Sequence, residues 1–116
     1  MQWLDRRHGK VTYRLTQMLS GHGCFEEYLH RIGKRPTAQC RACDAASDSA
    51  QHTLEECPAW AEERRVLVAS IGEDLSLPAV VRVMVGGKEN WKAVAFFCEQ
   101  VMLQKEADER EWERAP

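Results

Sequence analysis

Apolar residues recur at helical spacing in two segments of the first third of the chain. A stripe between Lys10 and Leu19 and a shorter one between Phe25 and Ile32 each predict an amphipathic helix. Glycine accepts the left-handed conformation that ends helices, so the string Ser20-Gly21-His22-Gly23 and then Gly33 are predicted to end them. The members of the stripes are Val11, Leu15, Met18 and Leu19, and then Phe25, Tyr28, Leu29 and Ile32.

Three further helices are predicted in the second half of the chain. The first begins near Pro58, because proline's missing N–H costs nothing in a first turn, and it ends at Gly72. The segment Leu77 to Val85 is rich in valine, which favours a strand, but its Ser-Leu-Pro entry favours a helix, and a helix is predicted. The two remaining stripes are Trp60, Arg64, Leu67, Val68 and Ile71, and then Trp91, Val94, Ala95, Cys98, Val101, Met102 and Lys105. Past Gln104 the last helix becomes almost purely charged and is predicted to fray.

These patterns predict a mainly α fold of about five helices around a small irregular centre. Residues 34–57 show no periodicity, and no alternation of strands and helices indicates an α/β or all-β class. We expect a single domain over residues 1–116, with a basic helical segment at 1–33, the irregular centre at 34–57 and a helical part at 58–112.

Length and composition agree with one globular domain of 116 residues, with 44% hydrophobic and 29% charged residues. No apolar stretch approaches the roughly 20 residues that span a bilayer, and the start lacks the apolar core of a secretory signal. We therefore expect no membrane partner and a nuclear or cytoplasmic location, for a whole protein or for a fragment of a larger one.

Charge is unevenly distributed along the chain. Residues 1–43 have a balance of +5 and residues 44–116 a balance of −7. This asymmetry either predicts a basic face for a polyanion or reflects chance scatter on solvated helices. The candidate phosphate-binding residues are Arg6, Arg7, Lys10, Arg14, Arg31, Lys34, Arg35 and Arg41.

The strongest chemical signal is the pattern C-x2-C-x8-H-x4-C formed by Cys40, Cys43, His52 and Cys57. On a regular helix, residues five apart lie about 140° around the axis, too far to share a metal. Cys57 precedes Pro58, however, and a residue before proline avoids the α conformation, so the two side chains can converge. Three thiolates and one imidazole suit zinc and fill a tetrahedron, which predicts a structural site with no open position.

The remaining candidates for chemistry are weaker. The alternative interpretation of Cys40, Cys43, His52 and Cys57 is that their spacing is accidental. If they do bind zinc, Arg41 is expected to offset part of the negative charge of the zinc–thiolate centre. Cys24 and Cys98 lie on or beside apolar stripes and are predicted to be ordinary core residues. No phosphate loop, catalytic triad or paired catalytic carboxylates stand out, so neither an enzyme activity nor a small-molecule substrate is predicted.

Several short segments form a specific pattern together with the Cys/His spacing. They are His8-Gly9, Leu15-Thr16-Gln17, Gly21-His22-Gly23-Cys24-Phe25, Tyr28-Leu29-His30-Arg31, Glu56-Cys57-Pro58 and Trp91 to Glu106. In these segments the sequence resembles the C-terminal zinc-binding region of insect non-LTR retrotransposon reverse transcriptases. The resemblance implies that Cys40, Cys43, His52 and Cys57 hold zinc and that the region binds template RNA or target DNA during target-primed reverse transcription. It also implies that the chain is a non-catalytic part of an RNA-directed DNA polymerase polyprotein, with neighbouring polyprotein domains as partners.

Two features shape the expected nucleic-acid contacts. The eight residues between Cys43 and His52 include no aromatic ring, so this loop is not expected to stack on bases. They do include Asp44 and Asp48, whose negative charges are expected to oppose nucleic-acid binding. The possible stacking groups are Tyr13, Tyr28 and Trp60. The alternative function is a protein-interaction domain, in which zinc only joins the helices and the acidic tail docks on neighbouring domains.

Overall fold

The computed structural model describes the backbone of residues 9–114 and the side chains of residues 13–114. Six α-helices and a short 3-10 turn account for most of this range, and no strand occurs within it, which confirms the predicted mainly α class. The helices are α1 (Gly9–Ser20), α2 (Glu26–Arg31), α3 (Ala50–Glu55), α4 (Ala61–Ile71), α5 (Leu77–Gly86) and α6 (Lys88–Arg114), with the 3-10 turn at Pro58–Trp60.

Helix α6 is the centre of the molecule, because α1, α4 and α5 all pack against it. Its apolar stripe is buried as the periodicity predicts, and Val94, Cys98 and Val101 are fully inaccessible to solvent. These side chains join Met18 of α1 and Leu67 of α4 in one continuous core. The amphipathic pattern of each helix therefore determines which of its faces meets α6.

Two predicted helix ends are explained by backbone conformation. Gly21 and Gly33 have φ angles of 72° and 86°, in the left-handed region that glycine enters without a steric penalty. The amide of Gly21 donates to the carbonyl of Gln17 at 2.9 Å, which closes the last turn of α1. The segment entered through Ser76 and Pro78 is the helix α5 rather than a strand, as predicted.

The irregular centre contains a helix that periodicity did not predict. Helix α3 has only six residues, and Ser49 caps it by accepting a hydrogen bond from the amide of His52 at 3.1 Å. Thr53 and Leu54 on this helix are both fully buried. A helix this short depends on its cap and on tertiary packing, and neither leaves a repeating apolar pattern.

The predicted fraying of α6 is wrong, since the helix continues to Arg114. Its charged second half is held by side chains from other elements. Lys105 reaches Asp48, Arg14 pairs with Glu106, and Arg35 pairs with Glu109. None of the described helices is long and apolar enough to cross a membrane.

Candidate metal centre

Cys40, Cys43, His52 and Cys57 meet at one point of the structure. Their donor atoms all lie within 4.8 Å of one another. The Sγ atoms of Cys40 and Cys57 are 3.8 Å apart, and the Sγ of Cys43 lies 3.3 Å from Nε2 of His52. The four residues are thus placed to bind a single metal ion.

Cys40 and Cys43 lie on a tight turn of the backbone. The amide of Asp44 donates to the carbonyl of Cys40 at 2.8 Å, and the amide of Cys40 donates to the carbonyl of Ala45 at 2.9 Å. Asp44 adopts the left-handed conformation, with φ of 66°, which short polar side chains tolerate better than most. The turn brings the two thiols to the same side of the loop.

His52 lies in the first turn of α3, and Cys57 lies two residues beyond the last residue of that helix. The imidazole Nδ1 lies 3.5 Å from a carboxylate oxygen of Glu56, which leaves Nε2 facing the sulfur atoms. Cys57 has an extended backbone, with φ of −65° and ψ of 119°, and it lies immediately before Pro58. Its side chain therefore leaves the helical path and meets that of His52.

The guanidinium of Arg64, a member of a predicted apolar stripe, stabilises the backbone of this site. Arg64 of α4 donates to the carbonyl of Leu54 at 2.7 Å, of Thr53 at 2.9 Å and of Cys57 at 2.7 Å. These carbonyls lie at the end of α3, where the intrahelical donors run out. An arginine inside an otherwise apolar stripe was the only signal of this role in the sequence.

The site is largely closed to solvent. The exposed fractions of Cys40, Cys57 and His52 are 2%, 0% and 7%. Burial raises the pKa of the Cys40 thiol to about 12 and also raises the pKa of Cys57, because a thiolate without a counter-charge is poorly solvated there. A metal cation supplies that counter-charge, and binding it requires these thiols to release their protons.

Asp48 is a buried anchor, not the exposed loop acid that the sequence suggested. Its carboxylate accepts hydrogen bonds from the amide of Glu26 at 3.0 Å and from Nζ of Lys105 at 3.0 and 3.2 Å. The exposed fractions of the two charged side chains are 5% for Asp48 and 8% for Lys105. This ion pair ties the loop before His52 to the middle of α6.

Cys24 and Cys98 lie outside the group of metal-binding atoms found among the described residues. Cys98 is fully buried in α6, and burial raises the pKa of its thiol to about 12. Cys24 is half-buried, and burial raises its pKa as well. Cys98 fits the predicted role as a core residue, whereas Cys24 is not part of the core cluster of the described residues.

Two of the candidate phosphate-binding residues are occupied by carboxylates of the same chain. Arg14 lies 3.1 Å from Glu99 and 2.6 Å from Glu106. Arg35 lies 3.2 Å from Glu26 and also pairs with Glu109.

The remaining candidate phosphate-binding residues are either exposed or lie outside the residues that the structure describes. Arg31, Lys34 and Arg41 are exposed. The guanidinium of Arg41 lies 4.2 Å from the ring centroid of Trp112. Arg6 and Arg7, and the side chain of Lys10, lie outside the described part of the molecule.

Comparison with known proteins relates the chain to retrotransposons. Over 91 residues it is 34% identical to a retrovirus-related Pol polyprotein from the type-1 retrotransposable element R1 4 of Nasonia vitripennis, an alignment that covers 73% of the chain and 23% of that relative. The chain is homologous to a region of insect R1 retrotransposon polyproteins. Over 97 residues it is also 29% identical to a 115 kDa protein in the type-1 retrotransposable element R1DM of Drosophila melanogaster, covering 81% of the chain and 9% of that relative.

The homology confirms the resemblance to non-LTR retrotransposon polyproteins that the residue pattern indicated. The chain spans less than a quarter of the length of each R1 relative. No established protein-family profile matches the chain, and no solved structure matches it.

Proposed function

We propose that this chain is a non-catalytic zinc-binding domain of an R1-type retrotransposon polyprotein that binds template RNA or target DNA during target-primed reverse transcription, in the nucleus or the cytoplasm. The observation that carries the proposal is the convergence of three thiols and one imidazole on one point, in a chain homologous to these polyproteins.

Zinc is the metal that the donor set favours. Soft thiolates with an imidazole select zinc among the common protein metals. Two sulfur atoms bound to one tetrahedral zinc at about 2.3 Å are about 3.8 Å apart, and the Sγ atoms of Cys40 and Cys57 are 3.8 Å apart. Glu56 beside Nδ1 of His52 is the type of partner that orients a ligating imidazole. Four protein donors leave no position for a reacting water, which supports a structural role.

Nucleic-acid binding is supported by exposed cations near Cys40 in the sequence. Arg31, Lys34 and Arg41 have no carboxylate at ion-pair distance among the described residues, whereas Arg14 and Arg35 must first leave their glutamates. Arg6, Arg7 and Lys10 are further candidate phosphate contacts on the basis of the sequence alone. Bound zinc would then fix how these cations are oriented relative to the rest of the domain.

The test is a salt-dependent titration of the zinc-loaded protein with a labelled single-stranded RNA. Binding should weaken steeply between about 50 and 200 mM salt, because neutralised phosphates release condensed counterions. Replacing Arg31, Lys34 and Arg41 together with alanine should lower the log–log salt slope by about 2. The matched control replaces Arg65, Arg82 and Lys88, three exposed cations of the second half of the chain. No binding of RNA or DNA by folded, zinc-loaded protein at about 50 mM salt would contradict the proposal.

The alternative function is a protein-interaction domain, and one observation favours it. A groove of about 490 Å³ between α4 and α6 exposes Val66 and Phe96, which are 57% and 60% accessible to solvent. The acidic tail is less available for docking than the sequence suggested, because Glu106 and Glu109 contact arginines of the same chain. Under this alternative, the substitution Phe96→Asp should release a neighbouring polyprotein segment in a pull-down while the RNA titration shows no binding.

A further inference from the structure

The loop between α1 and α2 places a histidine ring on a tyrosine ring. The rings of His22 and Tyr28 have centroids 4.8 Å apart and planes inclined by 27°. The guanidinium of Arg31 lies 5.6 Å from the Tyr28 centroid. His22 and Arg31 are exposed, and Tyr28 is half-buried against the core. Three groups with flat π surfaces therefore form one small cluster at the surface, anchored at Tyr28.

The Gly21-His22-Gly23 sequence fixes this arrangement. Gly21 has the left-handed φ of 72°, and the amide of His22 donates to Oγ of Ser20 at 3.2 Å. A Cβ on Gly23 would lie 2.9 Å from the methyl group of Met102 and 3.1 Å from Cβ of Gln17, so only glycine fits there without displacement. The loop is thus pressed against α1 and α6, and His22 is directed outward onto Tyr28.

Two cations close to the stack in the sequence, Arg31 and Lys34, lack an ion-pair partner in the part of the chain that the structure describes. Within the described residues, neither Arg31 nor Lys34 has a carboxylate at ion-pair distance, in contrast to Arg14 and Arg35. Lys34 lies just past the end of α2, where its amide donates to the carbonyl of Leu29 at 2.8 Å. Cations beside an aromatic stack are the combination that binds single-stranded nucleic acid, because phosphates meet the cations while an unpaired base stacks on the ring.

We propose that His22 and Tyr28, with Arg31 and Lys34, form a binding site for an unpaired base of single-stranded RNA or DNA. This inference rests on the proposed nucleic-acid binding and adds which strand form is selected and which residues select it. One face of the His22 ring lies against Tyr28, and a base would stack on the opposite face, extending the Tyr28–His22 pair. A paired base inside a duplex cannot reach this surface, so the site distinguishes single strands from duplexes.

The experiment compares four labelled ligands of equal length under the same salt conditions. They are a single-stranded RNA, the same sequence as single-stranded DNA, its duplex, and a strand of abasic residues that keeps the phosphates. Wild-type protein should bind the two single strands more tightly than the duplex or the abasic strand. The His22→Ala substitution should weaken binding to the single strands by about five-fold or more, since one stacked base contributes that much, and leave the abasic strand unchanged.

Two variants separate stacking from folding. Tyr28→Phe keeps the ring and should bind as wild type, and His22→Trp should bind single strands more tightly. The matched control is Phe96→Ala, which removes an aromatic ring that is 60% exposed but lies on α6 outside the cluster. Equal binding of the single strand and the abasic strand, or an unchanged affinity in His22→Ala, would overturn the proposed base site while leaving phosphate binding intact. Absence of binding to all four ligands would instead contradict the proposed function itself.

Discussion

Two regions of the molecule are ordered by different forces. The helical bundle of α1, α4, α5 and α6 buries long apolar stripes against one another, with Met18, Leu67 and Val94 almost or fully inaccessible. The segment that carries the candidate metal centre, residues 38–60, has one six-residue α-helix and a 3-10 turn, and two of its best-buried side chains are the candidate ligands Cys40 and Cys57. Apolar burial accounts for the bundle, whereas the segment combines the burial of Leu54 and Trp60 with polar contacts and, under the proposed function, with metal binding.

The comparison also shows how the two regions are joined. Leu54, Cys57 and Trp60 of the segment belong to the same continuous core as the bundle. The buried pair of Asp48 and Lys105 adds a polar link between them. The two regions are therefore expected to unfold as one cooperative unit, so that removing a bound metal would destabilise both of them.

The largest expected effect follows from removing one metal ligand. Cys40→Ser should abolish metal binding and much of the helical circular dichroism, because structural zinc contributes about 10–16 kcal/mol in small finger peptides and domains are stable by only about 5–15. Cys98→Ala and Cys24→Ala are the matched controls, and each should keep the metal and cost about 1 kcal/mol in packing. A Cys40→Ser protein with a sharp, wild-type thermal transition would show that the bundle folds without the segment.

The next largest effect is expected at the junction. Asp48→Ala leaves the ammonium of Lys105 buried without its partner and removes the acceptor for the amide of Glu26. Breaking one side of a buried ion pair costs about 3–5 kcal/mol. Urea unfolding of Asp48→Ala, compared with Asp44→Asn on the exposed side of the same loop, measures this difference, because asparagine tolerates the left-handed backbone of residue 44. Equal stability of the two variants would contradict the anchoring role of Asp48.

A smaller effect is expected where the second half of α6 is held by charges. Arg14→Ala should lower the free energy of unfolding by about 1–2 kcal/mol, because its guanidinium is mostly buried and pairs with both Glu99 and Glu106. The loss should shrink at high salt, which screens the interaction. Arg65→Ala is the control, since Arg65 and its partner Glu62 are 71% and 75% exposed, and it should change stability little. Helicity of residues 104–114 can be followed in both variants by hydrogen exchange.

The smallest effect concerns thiol reactivity. A pKa raised to about 12 keeps the Cys98 thiol protonated, and the thiolate is the reactive form. In folded, metal-loaded protein at pH 8, iodoacetamide should therefore leave Cys98 largely unmodified, and reactivity should rise only as the pH approaches 12 or the protein unfolds. Mass spectrometry of the alkylated peptides measures this, and rapid modification of Cys98 in the native state would contradict its burial.

The sequence predicted those parts of the fold that a repeating apolar pattern encodes. The stripes of α1, α4 and the first half of α6, and the glycine that ends α1, are properties of neighbouring residues and could be read along the chain. Helix α3 could not, because six residues hold less than two turns and its order comes from the Ser49 cap and from burial of Leu54. The second half of α6 was also missed, because its partners are charged residues far away in the sequence.

The candidate site divides in the same way. The candidate metal-binding set could be predicted from the spacing of its cysteines and histidine, since a tight turn brings Cys40 and Cys43 together whatever surrounds them. The burial of Asp48 and the contacts of Arg64 depend on which elements pack together, and a charged residue in a loop reads as exposed until its partner is known. Periodicity likewise gave no reason to place His22 on Tyr28, because their contact depends on the loop that Gly21 and Gly23 permit.

Metal stoichiometry measured together with ligand substitution tests the central claim most directly. Protein purified without denaturant from zinc-supplemented cells should contain one zinc per chain by elemental analysis and native mass spectrometry. The same measurement should give none for Cys43→Ser and one for Cys24→Ala. Absence of stoichiometric zinc in the wild-type chain, or its loss from Cys24→Ala, would contradict the assignment of Cys40, Cys43, His52 and Cys57 as the metal-binding set.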